Sequence, residues 1–212
     1  MIPTATLGRL VTYLRVVAEL ETEGVLTTSS EAIAGRAHAT AFQVRKDLAY
    51  CGRLGTRGSG YQVAPLAREL RRALGLTRVW HVAIMGVGRL GQALADYPNF
   101  DRYDFALRAA YDADPAKVGS TVGPLVVEGL DDLAASVARH ALDMAFLTVP
   151  AAAAQGAADA LVAAGIRGIL NFAPTVIEVP AHIRVESVDF LAGLTRLTYY
   201  VGNPPAEHDA PS

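Results

Sequence analysis

A glycine-rich turn with the spacing of a phosphate-binding loop lies near the middle of the chain. Residues 86–91 read Gly-Val-Gly-Arg-Leu-Gly, after the apolar run 81–85 and before a stretch with helical spacing. The first glycine permits a tight turn, the second lets a pyrophosphate approach the backbone, and the third allows helix and strand to pack closely. The helix N-terminus adds free N–H groups and a partial positive charge. The candidate phosphate-binding residues are Gly86, Val87, Gly88, Arg89, Leu90 and Gly91.

An acidic residue stands where the other half of a dinucleotide site is expected. Asp112 lies 21 residues beyond Gly91 and directly follows the apolar run 105–111. A carboxylate about 20 residues beyond the last glycine bonds the adenosine ribose hydroxyls. Because it would repel a 2′-phosphate, Asp112 favours NAD over NADP. A structural turn, or a related nucleotide such as coenzyme A, is the alternative.

Residues at the carboxyl ends of two later apolar runs, 144–149 and 168–170, could line the nicotinamide half of the same cleft. They are Thr148, Val149, Pro150, Asn171 and Phe172. Core packing is the alternative for the apolar ones, whereas Asn171 needs a hydrogen-bond partner if it is buried.

The first third of the chain is basic and has the pattern of a DNA-binding module. Residues 1–79 carry eleven Lys and Arg against six Asp and Glu, a net charge of +5, while residues 80–212 carry −7. A helix-turn-helix over 29–51 precedes a glycine- and arginine-rich hairpin at 52–61. A recognition helix contacts base edges and phosphates, and a winged hairpin can place an arginine in the minor groove. Gln43, Arg45, Lys46 and Arg57 fit these roles; a solvated helix and a surface loop are the alternative.

Hydrophobic periodicity predicts the elements that position these residues. The N-terminal part is expected to hold an amphipathic helix up to Gly24, a helix capped by Ser29 or Ser30, and a helix capped by Thr40 with Phe42 on its buried side. A basic helix over 66–74 follows. From residue 80 onward, apolar strands alternate with helices, which is typical of a parallel sheet covered on both faces. The predicted strands are 81–85, 105–111, 125–127, 144–149, 168–170 and 184–188, and the helices are 90–97, 130–138 and 151–164.

Several functional classes are disfavoured by composition. No stretch approaches about 18 consecutive apolar residues, so no membrane span is expected. A single cysteine, Cys51, forms neither an internal disulfide nor a metal site by itself, and nothing indicates export; we expect a cytoplasmic protein. None of the five histidines has an evident helper beside a nicotinamide, which argues against a dehydrogenase.

Five blocks of sequence carry a family resemblance. They are AFQVRKDL at 41–48, GTRGSGY at 55–61, GVGRLGQAL at 86–94, GIRGILNFAP at 165–174 and VDFLAGL at 188–194. Together they resemble the bacterial redox-sensing transcriptional repressors of the Rex family, over nearly the whole chain. The resemblance implies a homodimer that binds pseudo-palindromic operator DNA and is released when NADH rises relative to NAD.

The resemblance also implies roles for individual residues. It places DNA contacts at Arg45, Lys46, Arg57 and the adjoining Gly58, and the dinucleotide at 86–91 with Asp112. It implies that Asp189 and Phe190 reach the partner subunit's nicotinamide pocket from a C-terminal helix exchanged between subunits. Arg15 and Tyr97 match positions that exchange contacts with that aspartate between two states.

The expected architecture is therefore α/β, in four parts. These are a winged-helix DNA-binding domain with a linker helix at 1–79, a Rossmann-like NAD(H)-binding domain at 80–188, an exchanged helix at 189–203 and a flexible tail at 204–212. The expected function is a repressor that senses the NADH/NAD ratio, without catalysis, metal or membrane. The alternatives are an NAD(P)-dependent oxidoreductase with a helical accessory domain, and a constitutive DNA-binding protein whose nucleotide domain only dimerises.

Overall fold

The chain forms two compact units, Met1–Val79 and Trp80–Ser212. The computed structural model describes residues 2–52, 60–98 and 100–203. The division between the units falls where the hydrophobic pattern changes from helices to alternating strands and helices. None of the helices in the described ranges is both long and apolar enough to cross a membrane.

The N-terminal unit packs four helices around one apolar core. They are α1 (Thr4–Thr22), α2 (Ser30–Ala37), α3 (Ala41–Leu48) and α4 (Val63–Ala73). The side chain of Ser29 accepts a hydrogen bond from the Ala32 N–H, and that of Thr40 accepts one from the Gln43 N–H, so both predicted caps form. Buried residues from all four helices fill the core, including Leu10, Val17, Ile33, Leu48, Leu66 and Leu70.

A short pair of antiparallel strands completes this unit. Strand β1 (Thr27–Thr28), which periodicity does not predict, pairs with β2 (Tyr61–Gln62). The rest of the expected hairpin, residues 53–59 with Arg57 and Gly58, lies outside the described residues.

Helix α3 is rotated relative to the expectation. The prediction that Phe42 is buried is wrong, because its side chain is 68% exposed. Val44 and Leu48, one turn apart, face the core instead, and Phe42 lies about 200° around the helix from Val44. Asp47 shares the inward face and is 1% exposed.

A buried carboxylate joins α3 to α1. Arg9 donates two hydrogen bonds to Asp47, from Nε at 2.6 Å and from Nη2 at 2.8 Å, and the Tyr13 hydroxyl donates a third at 3.0 Å. The Arg9 guanidinium holds the pKa of Asp47 below its ordinary value, and Tyr13 and Gln43 add to this effect against the opposing effect of burial. The angle of α3 against α1 therefore depends on an ionised Asp47.

The C-terminal unit is a seven-stranded sheet with helices, which confirms the predicted Rossmann-like α/β fold. Its strands are β3 (Trp80–Met85), β4 (Phe105–Tyr111), β5 (Thr121–Val122), β6 (Leu125–Glu128), β7 (Met144–Leu147), β8 (Gly168–Asn171) and β9 (Arg184–Ser187). Their order is β5-β6-β4-β3-β7-β8-β9, and every pair is parallel except β5 with β6. Six strands were expected; the additional one, β5, is only two residues long and too short for a periodicity signal.

Helices connect the strands of this sheet, and one more ends the described chain. They are α5 (Arg89–Ala95), α6 (Leu133–Arg139), α7 (Ala151–Ala163) and α8 (Phe190–Gly202). The chain moves outward from β3 through β4 to β6, then crosses back to place β7 on the other side of β3. This reversal creates a crevice at the carboxyl ends of β3 and β7, where ligands bind in open α/β sheets.

Replacing the buried carboxylate should destabilise the N-terminal unit in a pH-dependent way. Because the pKa of Asp47 is depressed by folding, its ionisation contributes stability above pH 4, and the contribution is lost as pH falls through the folded-state pKa. We expect Asp47→Asn to cost about 2–3 kcal/mol at pH 7, as for hydrogen bonds to a charged group. The difference from the parent chain should shrink at pH 3 in urea unfolding followed by circular dichroism.

Glu23→Gln is the matched control, because Glu23 forms a similar bidentate salt bridge with Arg36, but both of these side chains are exposed. It should leave the free energy of unfolding unchanged. Equal effects of the two substitutions would contradict the role given to Asp47.

Candidate functional site

The glycine-rich turn lies at the point where the strand order reverses. Residues 86–88 leave the carboxyl end of β3, and α5 begins at Arg89. Thr148 follows β7 on one side, and Asp112 follows β4 on the other. The structure therefore brings together the turn and the two strand ends that the sequence pattern singled out.

The three glycines of the turn have different surroundings. Gly86 has a φ of +101°, and a Cβ atom there would lie 2.7 Å from Val149 Cγ1. A Cβ on Gly91 would overlap the Gly86 carbonyl oxygen, so this glycine allows α5 to pack on the end of β3. Beside Gly88, no described atom lies within 4 Å of the Cβ position. The protein's own packing uses the outer two glycines and leaves space at the middle one.

The other residues of the turn divide into buried and exposed positions. Val87 is buried, whereas Arg89 and Leu90 are exposed on the first turn of α5. The Thr148 hydroxyl donates a hydrogen bond to the Gly86 carbonyl oxygen at 2.7 Å. This bond ties the turn to β7. Val149 is half-buried, and Pro150 is exposed just before α7.

Asp112 holds the turn from the side of β4. One carboxylate oxygen accepts hydrogen bonds from the Val87 N–H and from Lys117 Nζ, both at 2.8 Å. The other accepts from the Asp114 N–H at 2.9 Å. Burial alone would raise the pKa of Asp112, but these three donors hold it below its ordinary value. A carboxylate has about four acceptor sites, so the described donors leave room for one more hydrogen bond.

Lys117 is a site residue that the sequence reasoning assigned no role. It lies in the loop after β4 and neutralises Asp112. A composition signal existed, because the chain has only two lysines, Lys46 and Lys117. One belongs to each candidate site.

Asn171 is buried and has the partners that its burial requires. Its Nδ2 donates to the Thr175 carbonyl oxygen at 2.8 Å, and its Oδ1 accepts from the Ala173 N–H at 2.9 Å. Both ends of the amide therefore shape the loop after β8, which carries Phe172.

A row of aromatic rings joins three of the predicted residues. Tyr97 contacts Phe100 at a centroid distance of 5.3 Å, and Phe100 contacts Phe146 at 5.6 Å. Phe146 lies 6.0 Å from Phe172, which lies 6.5 Å from Phe190. These separations are typical of favourable ring pairs, about 4.5–7 Å. Phe100 and Phe146 were not predicted: the first lies in a short 3-10 turn, and the second has the pattern of a core strand residue.

The side chain of Asp189, directly before α8, accepts a hydrogen bond from the Ala192 N–H at 2.8 Å and caps the helix. None of the thirteen residues of α8, all of them described, is buried. Its exposed apolar side chains are Phe190, Leu191, Leu194, Leu197, Tyr199, Tyr200 and Val201.

In the N-terminal unit, two of the predicted DNA-contacting side chains already have protein partners. Gln43 Nε2 donates to Asp47 at 2.9 Å. Arg45 Nη1 donates to the Ser30 hydroxyl at 2.8 Å and to Glu31 at 3.0 Å. Lys46 is exposed on α3, and Arg15 is exposed on α1.

The described residues give little support for a reactive thiol or a metal site. Burial raises the pKa of the Cys51 thiol, with Glu69 and Asp47 adding to the effect, which disfavours the reactive thiolate. In residues 2–52, 60–98 and 100–203, no cluster of three or more His, Cys, Asp or Glu side chains is arranged to hold a metal ion.

A helix-turn-helix unit followed by a Rossmann-like sheet with a glycine turn defines a class of nucleotide-binding transcription factors. Comparisons with known sequence families agree with this class. The family described as "CoA binding domain" matches residues 77–175, and "Putative DNA-binding protein N-terminus" matches residues 1–49.

Curated relatives cover nearly the whole chain. The redox-sensing transcriptional repressor Rex of Thermus thermophilus is 57% identical over 203 residues, which is 96% of this chain and 95% of the relative. The protein of the same name from Deinococcus radiodurans is 50% identical over 97% of this chain and 95% of its own length. The chain therefore belongs to the Rex family of redox-sensing transcriptional repressors.

Solved structures support the same assignment. RSP, a Rex-family repressor crystallised with β-NAD⁺ and operator DNA, has a TM-score of 0.90 at 33% identity, covering 95% of this chain and 93% of that one. RSP with β-NADH has a TM-score of 0.84 at 32% identity, covering 95% of each chain. The prediction of a transcriptional repressor is confirmed, and these findings do not support the oxidoreductase alternative.

Two glycine substitutions should separate packing from ligand binding. Gly91→Ala should lower stability by about 1–3 kcal/mol, as overpacking does, because its Cβ meets the Gly86 carbonyl oxygen. Gly88→Ala should change stability by less than about 1 kcal/mol, the cost of alanine at a helix N-cap. It should nevertheless weaken NADH binding at least about tenfold, since the methyl group fills the space left for phosphates.

Thermal unfolding and titration calorimetry of the two variants check this pair. If a folded Gly88→Ala variant binds NADH as tightly as the parent, the proposal that the glycine turn binds the phosphates is wrong.

Proposed function

We propose that the chain acts as a homodimer that represses transcription when NADH is low and leaves its operator when NADH binds. The main support for this proposal is that one chain holds both a candidate dinucleotide site and a candidate DNA-binding site. An open glycine turn with an ionised Asp112 lies in one unit, and a capped helix-turn-helix lies in the other, basic unit. As a repressor acting on DNA, the protein would work in the cytoplasm.

The proposed ligands are NADH and NAD, held by residues 86–91 and Asp112. The backbone around Gly88 would receive the pyrophosphate, and the remaining acceptor site of Asp112 would receive an adenosine ribose hydroxyl. The two dinucleotides share that end of the molecule, so these contacts supply affinity without discrimination.

Discrimination must come from the nicotinamide end, where NAD⁺ carries one more positive charge. We propose that Thr148, Val149, Pro150, Asn171 and Phe172 line this end, beside the row of aromatic rings. An apolar, aromatic wall favours the neutral reduced ring, because burying an unpaired cation is costly. The row supports this assignment, since it joins Phe172 through Phe146 and Phe100 to Tyr97.

We propose that α8 is exchanged between two copies of the chain. A helix with seven exposed large apolar side chains needs a partner surface, and a second copy supplies one that is self-complementary. Asp189 and Phe190 would then meet the partner's nicotinamide end. Arg15 and Tyr97 would exchange contacts with that aspartate between the DNA-bound and released states.

For DNA, we propose contacts from Gln43, Arg45, Lys46, Arg57 and Gly58. Two α3 helices of a dimer would enter successive major grooves about 34–36 Å apart. The exposed Lys46 and the net charge of +5 on residues 1–79 support this assignment.

The proposal predicts that NADH releases the protein from its operator. A duplex selected from a random library by the full-length chain should bind without ligand or with NAD⁺ and dissociate on addition of NADH in a gel-shift assay. A full swing from 1:99 to 99:1 needs about 10⁴-fold tighter NADH binding to the released state, or ~5.5 kcal/mol, shared by two sites.

A duplex with only one half-site is the control for dimeric recognition and should bind far more weakly. DNA binding that ignores NADH would support the constitutive alternative instead. Steady oxidation of NADH with reduction of small carbonyl compounds would support the oxidoreductase alternative.

The sensing contact can be separated from general affinity by two substitutions. Asp112→Ala should weaken NADH and NAD⁺ about equally, because it removes the anchor of the shared end. Phe190→Ala should mainly reduce the preference for NADH and leave DNA affinity without ligand nearly unchanged. Titration calorimetry with each dinucleotide measures both effects.

Tyr199→Ala is the matched control, as an equally exposed aromatic residue of α8 whose ring contacts Tyr200 rather than the aromatic row. It should keep the full NADH preference. If Phe190→Ala also keeps it, the sensing contact lies elsewhere.

A further inference from the structure

The exposed face of α3 carries a large apolar side chain that joins none of the apolar clusters of the described residues. Phe42 is 68% exposed, while Val44 and Leu48 supply the contacts of α3 with the core. Phe42 is the second residue of the helix, immediately after the Thr40–Ala41 start. A single exposed apolar residue is ordinary on a protein surface, so its neighbours decide whether it has a role.

The polar neighbours of Phe42 make hydrogen bonds within the N-terminal unit. Gln43 is half-buried and bonded to Asp47, and Arg45 is bonded to Ser30 and Glu31. The Gln43 bond lies within α3, whereas the Arg45 bonds join α3 to α2.

Phe42 and Lys46, four residues apart on α3, are both exposed and form one stripe on the helix. Tyr50 is exposed in the 3-10 turn Ala49–Cys51 that follows α3. The stripe places a cation one helical turn from the phenyl ring. A cation beside an apolar group fits the edge of a DNA groove, where phosphates and bases alternate, better than an apolar protein surface.

We infer that Phe42 contacts the C5-methyl group of a thymine in the major groove of the operator. This inference rests on the proposed DNA-binding function of α3. The N-terminal residues of a recognition helix are the ones that reach base edges. The thymine methyl is the apolar group that distinguishes the base pairs in that groove, and a phenyl ring, which forms no conventional hydrogen bond, contacts it.

Removing single methyl groups from the DNA tests the inference. Each thymine of the duplex selected by the full-length chain is replaced in turn by deoxyuridine, and the affinity is measured for the parent protein and for Phe42→Ala. At one thymine in each half-site, the parent should lose about fourfold in affinity per methyl, the worth of one buried methyl group. Phe42→Ala should bind the thymine-containing duplex more weakly but show no further loss at that position.

Leu7→Ala is the matched control, because Leu7 is an exposed apolar residue on α1 rather than α3. It should show the same methyl dependence as the parent. Phe42→Leu, which keeps an apolar side chain, should retain part of that dependence. NADH titrations of every variant report folding of the C-terminal unit, and circular dichroism reports the helices.

The outcomes separate this inference from the proposed function. Methyl dependence that is identical in the parent and Phe42→Ala at every position overturns the role of Phe42 and leaves NADH-controlled DNA binding in place. A selected half-site without thymine does the same. If the parent selects no duplex at all, the proposed function and this inference fail together.

Discussion

The carboxylate of Asp112 stays ionised although its side chain is nearly buried, and the geometry of the candidate nucleotide site depends on that charge. Its three donors come from two parts of the chain: the Val87 N–H from the glycine turn, and the Asp114 N–H and Lys117 Nζ from the loop after β4. An unpaired carboxylate in this position would become protonated or draw in water, and the Val87 N–H would lose its acceptor. The turn could then no longer be held between β4 and β7.

The N-terminal unit uses the same device for α3. Asp47 accepts hydrogen bonds from Arg9, Tyr13 and Gln43, so that one buried charge fixes both the helix and one of its polar side chains. Buried ion pairs contribute little net stability compared with apolar packing, but they tolerate few alternative geometries. In both units the element that would meet a ligand is held by a buried carboxylate behind it.

Sequence patterns predicted the features that repeat along the chain or follow from one residue type. The glycine turn, Asp112, the caps at Ser29 and Thr40 and the parallel strands belong to this group, because backbone geometry alone demands them. The burial of Phe42 was predicted wrongly, since helical spacing fixes which residues share a face but not which face meets the core. Asp47 helps to decide that face, and its partners Tyr13 and Arg9 lie 34 and 38 residues away in sequence, on α1, beyond the reach of a local pattern.

Lys117 and the aromatic row were missed for a related reason. Lys117 acts through Asp112 five residues earlier in an irregular loop, and the rings meet only through the sheet order, which brings β7 and β8 together.

The exposed apolar side chains of α8 and the exposed Phe42 of α3 together constrain how DNA recognition can work in the proposed complex. Helix α8 has no buried residue, and α3 exposes Phe42 beside Lys46. One recognition helix reads too few base pairs for specificity, so the proposed operator complex needs two copies held at a fixed spacing. Covering α8 with a second copy would supply that spacing and turn the second half-site contact into an intramolecular one, which raises affinity without any new DNA contact. A ligand that alters the packing of α8 then acts on both recognition helices at once, and Phe190, at the first turn of α8 and the last ring of the aromatic row, is where such a ligand would act.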